Sequence, residues 1–159
     1  MKRGAKKEKL PDIRLLKVCK LLNANHAKYV VIGGVALNLH GLIRATMDID
    51  LLIPKDIKNT KEVLDTLKNL AFGIASELDP ADVTNKPITI IGDIPRVDLL
   101  TVANKIKYED AINTVKTIRI DGIKITYVDI DTLIKTKETG RLQHKADIER
   151  LKKIYSINT

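Results

Sequence analysis

The spacing of apolar and polar positions changes several times along the chain, and each change marks an element. From Pro11 to Lys28, Ile13, Leu15, Leu16, Val18, Leu21 and Leu22 fall close to a helical repeat, with Pro11 suited to its first turn. "YVVI" then reads as a strand ended by "GG", and "VALNLHG" as a short helix closed by Gly41. "MDIDLLIP" is a strand stopped by Pro54, and "NTKEVLDTLKNLA" an amphipathic helix with Val63, Leu64, Leu67 and Leu70 inward. "FGIASELDPADVTNK", punctuated by Pro80 and Pro87, has no legible period and reads as irregular. "PITIIG" and "RVDLLTV" are strands either side of a turn at "GDIP", "YEDAINTV" is a short helix, and "KTIRIDGIKITYV" is a hairpin with Asp-Gly between alternating runs. Two helices close the chain: "DIDTLIKTKETG", ending at Gly140, and "LQHKADIERLKKIY", with Ile148, Leu151, Ile154 and Tyr155 on one face. This order predicts an α/β (α+β) fold, a mixed sheet with helices packed on it.

One strand breaks the apolar pattern. Asp48 and Asp50 interrupt Met47, Ile49, Leu51 and Ile53, and residues two apart on a strand share a face, roughly 6 to 7 Å apart. Two carboxylates at that spacing repel by roughly 2.5 kcal/mol at an effective dielectric near 20. Water on a polar outer face can screen them, or a divalent cation can be shared between them, since hard ions such as Mg²⁺ are held by carboxylate oxygens. A third carboxylate, Asp98 of "RVDLLT", shares its strand face with Arg96 and Leu100. Placed beside the first strand, it would complete a set able to hold two Mg²⁺ ions about 3.5 to 4 Å apart for an in-line phosphoryl or nucleotidyl displacement.

Composition narrows the class. The chain has 159 residues, 44% of them hydrophobic, which suits one domain with a real core; residues 1–9 read as a basic flexible tail and 10–159 as the domain. No apolar run is long enough to span a bilayer, "MKRGAKKEK" lacks the apolar stretch of a secretory signal, and Cys19 alone can form neither an internal disulfide nor a multi-cysteine metal site. A cytoplasmic protein with no membrane association is the simplest expectation. The net charge of +8 favours polyanionic or phosphate-bearing partners, with solubility alone as the lesser alternative. With 3% aromatic residues, contact with nucleic acid would lean on charge more than on stacking.

Gly33 and Gly34 lie between a strand and a helix, where small residues admit a phosphate to backbone N–H groups, or simply allow a tight turn. Neither a dinucleotide fingerprint nor a Walker loop is satisfied. Arg44 and Thr46, just before the aspartates, could hold a triphosphate or face solvent. His40, alone at a helix end, reads more simply as a capping or packing group.

"GGVALNLHGLIRATMDIDLLI" resembles the signature of the nucleotidyltransferase superfamily with the DNA polymerase beta-like catalytic fold: a Gly-Gly or Gly-Ser turn, a helix, Asp-x-Asp, and a third carboxylate on a later strand. The "HG" and "R-x-T" before the aspartates are similar to the branch holding AbiEii and MenT-type toxin nucleotidyltransferases. "LIKTKETGRLQHKADIERL" resembles the C-terminal stretch of that branch, with His144 where relatives often carry aspartate. The resemblance implies transfer of a nucleoside monophosphate from a nucleoside triphosphate to an acceptor hydroxyl on RNA or tRNA, protein or a small molecule. It implies Mg²⁺ or Mn²⁺ on Asp48, Asp50 and Asp98, with Asp98 also a candidate to receive the acceptor proton. Gly33, Gly34, Arg44, Thr46 and Lys137 would bind nucleotide, and Asp147 would orient the last helix. Read without the resemblance, Lys137 is one of many surface lysines. Two alternatives stay open: a nucleotide- or RNA-binding module without chemistry, favoured by Asp98 lying far from Asp50, and a toxin–antitoxin component acting through a cognate antitoxin or other protein partner.

Overall fold

In the computed structural model the described residues are 13–42, 48–70, 73–92 and 96–158. Arg44, Thr46, Met47, most of the "GDIP" turn, the 1–9 segment and the side chain of Tyr155 lie outside them. The elements run α1 (Ile13–Ala24), β1 (Val30–Ile32), α2 (Gly33–Leu39), β2 (Asp48–Leu52), α3 (Ile57–Lys68), α4 (Pro80–Thr84), β3 (Ile88–Ile91), β4 (Arg96–Leu100), α5 (Tyr108–Ala111), β5 (Lys116–Ile120), β6 (Ile123–Tyr127), α6 (Ile130–Thr136) and α7 (Leu142–Asn158). Short 3₁₀ turns occupy Gly73–Glu77 and Ile112–Thr114.

The six strands form one mixed sheet in the order β3-β4-β2-β1-β6-β5. β2 and β4 are parallel, with Asp48 opposite Arg96 and Asp50 opposite Asp98. β1 is antiparallel to β2 and sets Ile32 opposite Asp50. Alternation then divides the two faces. Val31, Ile49, Leu51, Val97 and Leu99 pack with residues of α1 and α3 into one core. Val30, Ile32, Leu52 and Leu100 pack with residues of α2, α6 and α7 into the other. Asp48, Asp50 and Asp98 share this second face, beyond the end of its apolar floor.

Two stretches differ from the sequence expectation. The segment read as irregular contains a 3₁₀ turn and α4, whose start is capped by Asp79 (Oδ1 3.0 Å from the Ala81 N–H) with Pro80 in its first turn. An Asp-Pro pair is a helix start as well as a loop signal, and the five-residue helix is too short to show a period. The helix expected to reach Gly140 stops at Thr136. The Asn104 side chain donates to the carbonyls of Lys135 (2.8 Å) and Glu138 (3.0 Å), satisfying that end four residues early.

Gly33 joins the fold to the site. Its φ of +69° lies in the left-handed region, and a Cβ built there would overlap Oδ2 of Asp50 and sit 3.0 Å from its Cγ. Only glycine lets α2 begin directly against the carboxylate. Gly33→Ala is therefore expected to lose at least about 1 to 2 kcal/mol from the backbone term alone, measured by urea denaturation; unchanged stability would mean that the turn can be rebuilt.

Candidate active site

The sheet brings the three aspartates to one place, but in unequal states. Asp98 is 4% exposed, and both of its oxygens are taken by Arg96, Nε to Oδ1 and Nη2 to Oδ2, each at 2.9 Å. The same Nη2 lies 3.8 Å from Oδ2 of Asp48. One guanidinium thus serves both ends of the acidic row, and its own pKa is pushed up, first by the hydrogen bond to Asp98 and then by the charges of Asp98 and Asp48. Asp50 has no such partner. Burial, then the charges of Asp98 and Asp48, push its carboxyl up to about 7, against a smaller opposing pull from Arg96.

A cavity of about 340 Å³ opens beside this row, at the lower end of the size range of small-molecule sites. Gly33 and Gly34 line it with Asp48 and Asp50 on one side, while Lys137, Arg141 and His144 line the other. Asp98 lies next to it, under Arg96, and does not line it. Among the described residues no three acidic, histidine or cysteine side chains stand in a metal-holding arrangement. Asp48 and Asp50, hard oxygen donors with an uncompensated repulsion at Asp50, fit one divalent cation; Asp98 can join them only once Arg96 has moved.

Lys137 is not a surface lysine. It is 5% exposed, and its Nζ lies 3.1 Å from Oδ2 of Asp147, which is fully buried. It sits just past the last turn of α6, where φ of −103° leaves the helical region, and the contact holds α7 against the cleft. Gln143 on α7 reaches the other Asp147 oxygen at 3.4 Å. His144 Nδ1 lies 2.7 Å from the Thr139 hydroxyl. Arg96, Arg141 and His144 were not singled out for this cleft by sequence reasoning; the signal for Arg96 was its shared strand face with Asp98 and for His144 its place three residues before Asp147 on one helix, while Arg141, which precedes α7, carried no local signal. His40 is outside the cleft. Its Nε2 lies 2.7 Å from the Val128 carbonyl and its ring meets Tyr127 edge-on at 5.1 Å, a packing role in which burial lowers its pKa.

Residues 13–105 match the family described as "Nucleotidyltransferase of unknown function (DUF6036)". The chain belongs to this family. The match spans all three aspartates and both glycines of this DUF6036 nucleotidyltransferase and stops before Lys137. In fold the chain is similar to a Thermotoga maritima crystal structure described as a "putative nucleotidyltransferase", with a TM-score of 0.52 and 16% identity, over 92% of this chain and 89% of that one. No curated protein matches in sequence.

Two outcomes test the electrostatics. The carboxyl of Asp50 titrates near 7 when folded and near 4 when unfolded, so the folded state resists an ionisation that the unfolded chain accepts. In the metal-free protein that relative stability is complete below about pH 4 and is lost as pH rises through 7. Asp50→Asn should flatten this part of the pH–stability profile and raise stability at pH 8, by on the order of 2 to 4 kcal/mol; superimposable profiles would refute the shift. Lys137→Met should cost about 3 to 5 kcal/mol by stranding Asp147, and Lys137→Met with Asp147→Leu should recover most of it. Equal losses in the single and double variants would mean that the two charges are not coupled.

Proposed function

We propose that this DUF6036 nucleotidyltransferase moves a nucleoside monophosphate from a nucleoside triphosphate to an acceptor hydroxyl, using a divalent cation on Asp48 and Asp50. The observation that carries the reading is the cleft itself, with two carboxylates on one wall and Lys137, Arg141 and His144 on the other. A triphosphate with its metal needs such a divided surface, cation-binding on one side and anion-binding on the other. The bound metal would supply charge neutralisation at the transferring phosphorus. The chain's own groups do the positioning: Gly33 and Gly34 leave room for the phosphates, and Arg141 and the Lys137 ammonium oppose their charge. The acceptor oxygen forms a bond to the α-phosphorus, the bond to pyrophosphate breaks, and the acceptor proton passes to a carboxylate, Asp98 once it is released from Arg96.

Asp98 opposite Asp50 is the reverse of what favours a binding module without chemistry. The finer placement beside AbiEii and MenT-type toxins rests on the "HG", "R-x-T" and Lys137-to-Asp147 stretches. The buried Lys137–Asp147 pair gives the last of these a physical basis, and an antitoxin partner belongs to the same proposal.

The full chain is incubated with each labelled nucleoside triphosphate, Mg²⁺ and total cellular RNA, protein or small-molecule fractions. Label is expected in one fraction, with Asp48→Asn reducing it at least 100-fold. Tight triphosphate binding with no labelled product would instead favour the binding module. Separately, Mn²⁺ should raise the melting temperature of the native protein by binding only its folded form, and much less so for Asp48→Asn, whose side chain is 42% exposed and outside the core. Equal shifts would place the ion elsewhere.

A further inference from the structure

Apart from the carboxylate cleft, an open groove of about 800 Å³ lies at the other end of the sheet. Lys20, Lys28, Arg119 and Lys124 line it, with Asp121 as its one carboxylate. The charge there is placed against ordinary strand chemistry. Arg119 and Lys124 are directly opposite each other in the β5–β6 hairpin, and like charges at that position destabilise a strand pair. Arg96 and Lys137, by contrast, are each matched by a carboxylate, Asp98 and Asp147 respectively. Among the described residues none of the four groove cations has an ion-pair partner.

The backbone that carries these charges is held rigidly. Buried Asn59 accepts from the Lys28 N–H at 2.7 Å and donates to the Lys28 carbonyl at 3.0 Å. Asn23 donates to the Lys124 carbonyl at 2.8 Å and accepts from the Tyr29 hydroxyl at 2.9 Å. Asp121 and Gly122 both have positive φ, 53° and 78°, the primed turn that fixes the hairpin register. Three elements are therefore tied together under four cations that have no ion-pair partner among the described residues, Arg119 donating only to the Gly122 carbonyl at 3.3 Å.

We infer that this groove binds the phosphodiester backbone of a nucleic-acid strand. A strand of phosphates supplies the several evenly spaced anions that four fixed cations can meet. The large exposed apolar side chains, Ile57, Ile74, Ile88, Ile90 and Leu142, lie elsewhere, so the groove lacks the apolar wedge of a membrane-surface site. Residues 28 to 33, roughly 16 Å of extended chain, separate the groove from the carboxylate cleft. If the proposed transfer chemistry holds, a strand seated here is placed to present its end as the acceptor; binding in the groove does not depend on that chemistry.

The test is fluorescence anisotropy of a 20-nucleotide single-stranded RNA and its DNA counterpart with the full chain, without triphosphate or metal, across a salt series. Lys28→Glu and Lys124→Glu are each expected to weaken binding at least fivefold and to reduce the salt slope by about 0.7. Lys86→Glu, the same charge change at the opposite sheet edge, should stay within twofold. Lys124→Glu replaces a like-charge pair by an opposite one, so its melting temperature should not fall below the native value. Equal affinity for RNA and DNA supports backbone recognition. Equal weakening by all three variants would reduce the effect to net charge and overturn the groove, as would binding to anionic vesicles with no binding to either strand. Labelled-nucleotide transfer fails or succeeds separately from these readings.

Discussion

The parallel pairing of β2 with β4 is the constraint from which the rest of the site follows. It sets Asp50 directly opposite Asp98 on a sheet face that is turning from apolar to polar, where neither full hydration nor a dry core can absorb two negative charges. Arg96 answers for Asp98 and partly for Asp48, because the same register puts Arg96 opposite Asp48. Asp50 is left with the residual repulsion, expressed as its raised pKa. Its carboxylate also fills the space where a side chain at position 33 would stand, so the residue that starts α2 has to be glycine. Charge, register and backbone geometry at this end of the sheet are one arrangement.

The opposite wall of the cleft depends on a second buried charge pair. Lys137 leaves the end of α6 and meets Asp147 of α7 at 3.1 Å in a nearly dry setting. Such pairs contribute little net stability compared with apolar replacements, but breaking one is costly. Their value here is positional. The pair sets α7 so that Arg141 and His144 line the cavity opposite Asp48 and Asp50, and Asn104 finishes α6 early enough for Lys137 to turn inward.

Local chemistry made much of this legible in the sequence. Alternation at "MDIDLLIP" and "RVDLLTV" located both acidic strands, Asp-Gly located the hairpin, and the spacing of Gly33, Asp48 and Asp50 carried the family resemblance. What was not legible is set by contacts distant in sequence. Nothing local says that residues 48 apart will pair, and the adjacency of Asp50 and Asp98 could only be conditional until the sheet order was known. The burial of Lys137 escaped composition for the same reason, since its partner is on the next helix. Arg96 was visible as a neighbour of Asp98, but a side chain that shares a strand face with a carboxylate can point to it or to solvent. α4 was missed because its five residues make fewer than two turns, too few for a helical period to repeat.

The sheet places like charges side by side twice, and the two cases differ in a way that bears on function. Asp50 and Asp98 are set together by strand register and partly neutralised from within by Arg96. Arg119 and Lys124 are set together by a hairpin register just as firm, with no carboxylate paired to either among the described residues. A register that faces like charges across a ladder weakens that ladder, and a two-residue primed turn leaves the strands no freedom to slip and relieve it. The repulsion at the acidic end can be met by a small cation, because two carboxylates converge on one cavity. The basic end is spread along a groove more than twice that volume, a geometry that a single small anion cannot neutralise and an extended chain of anions can.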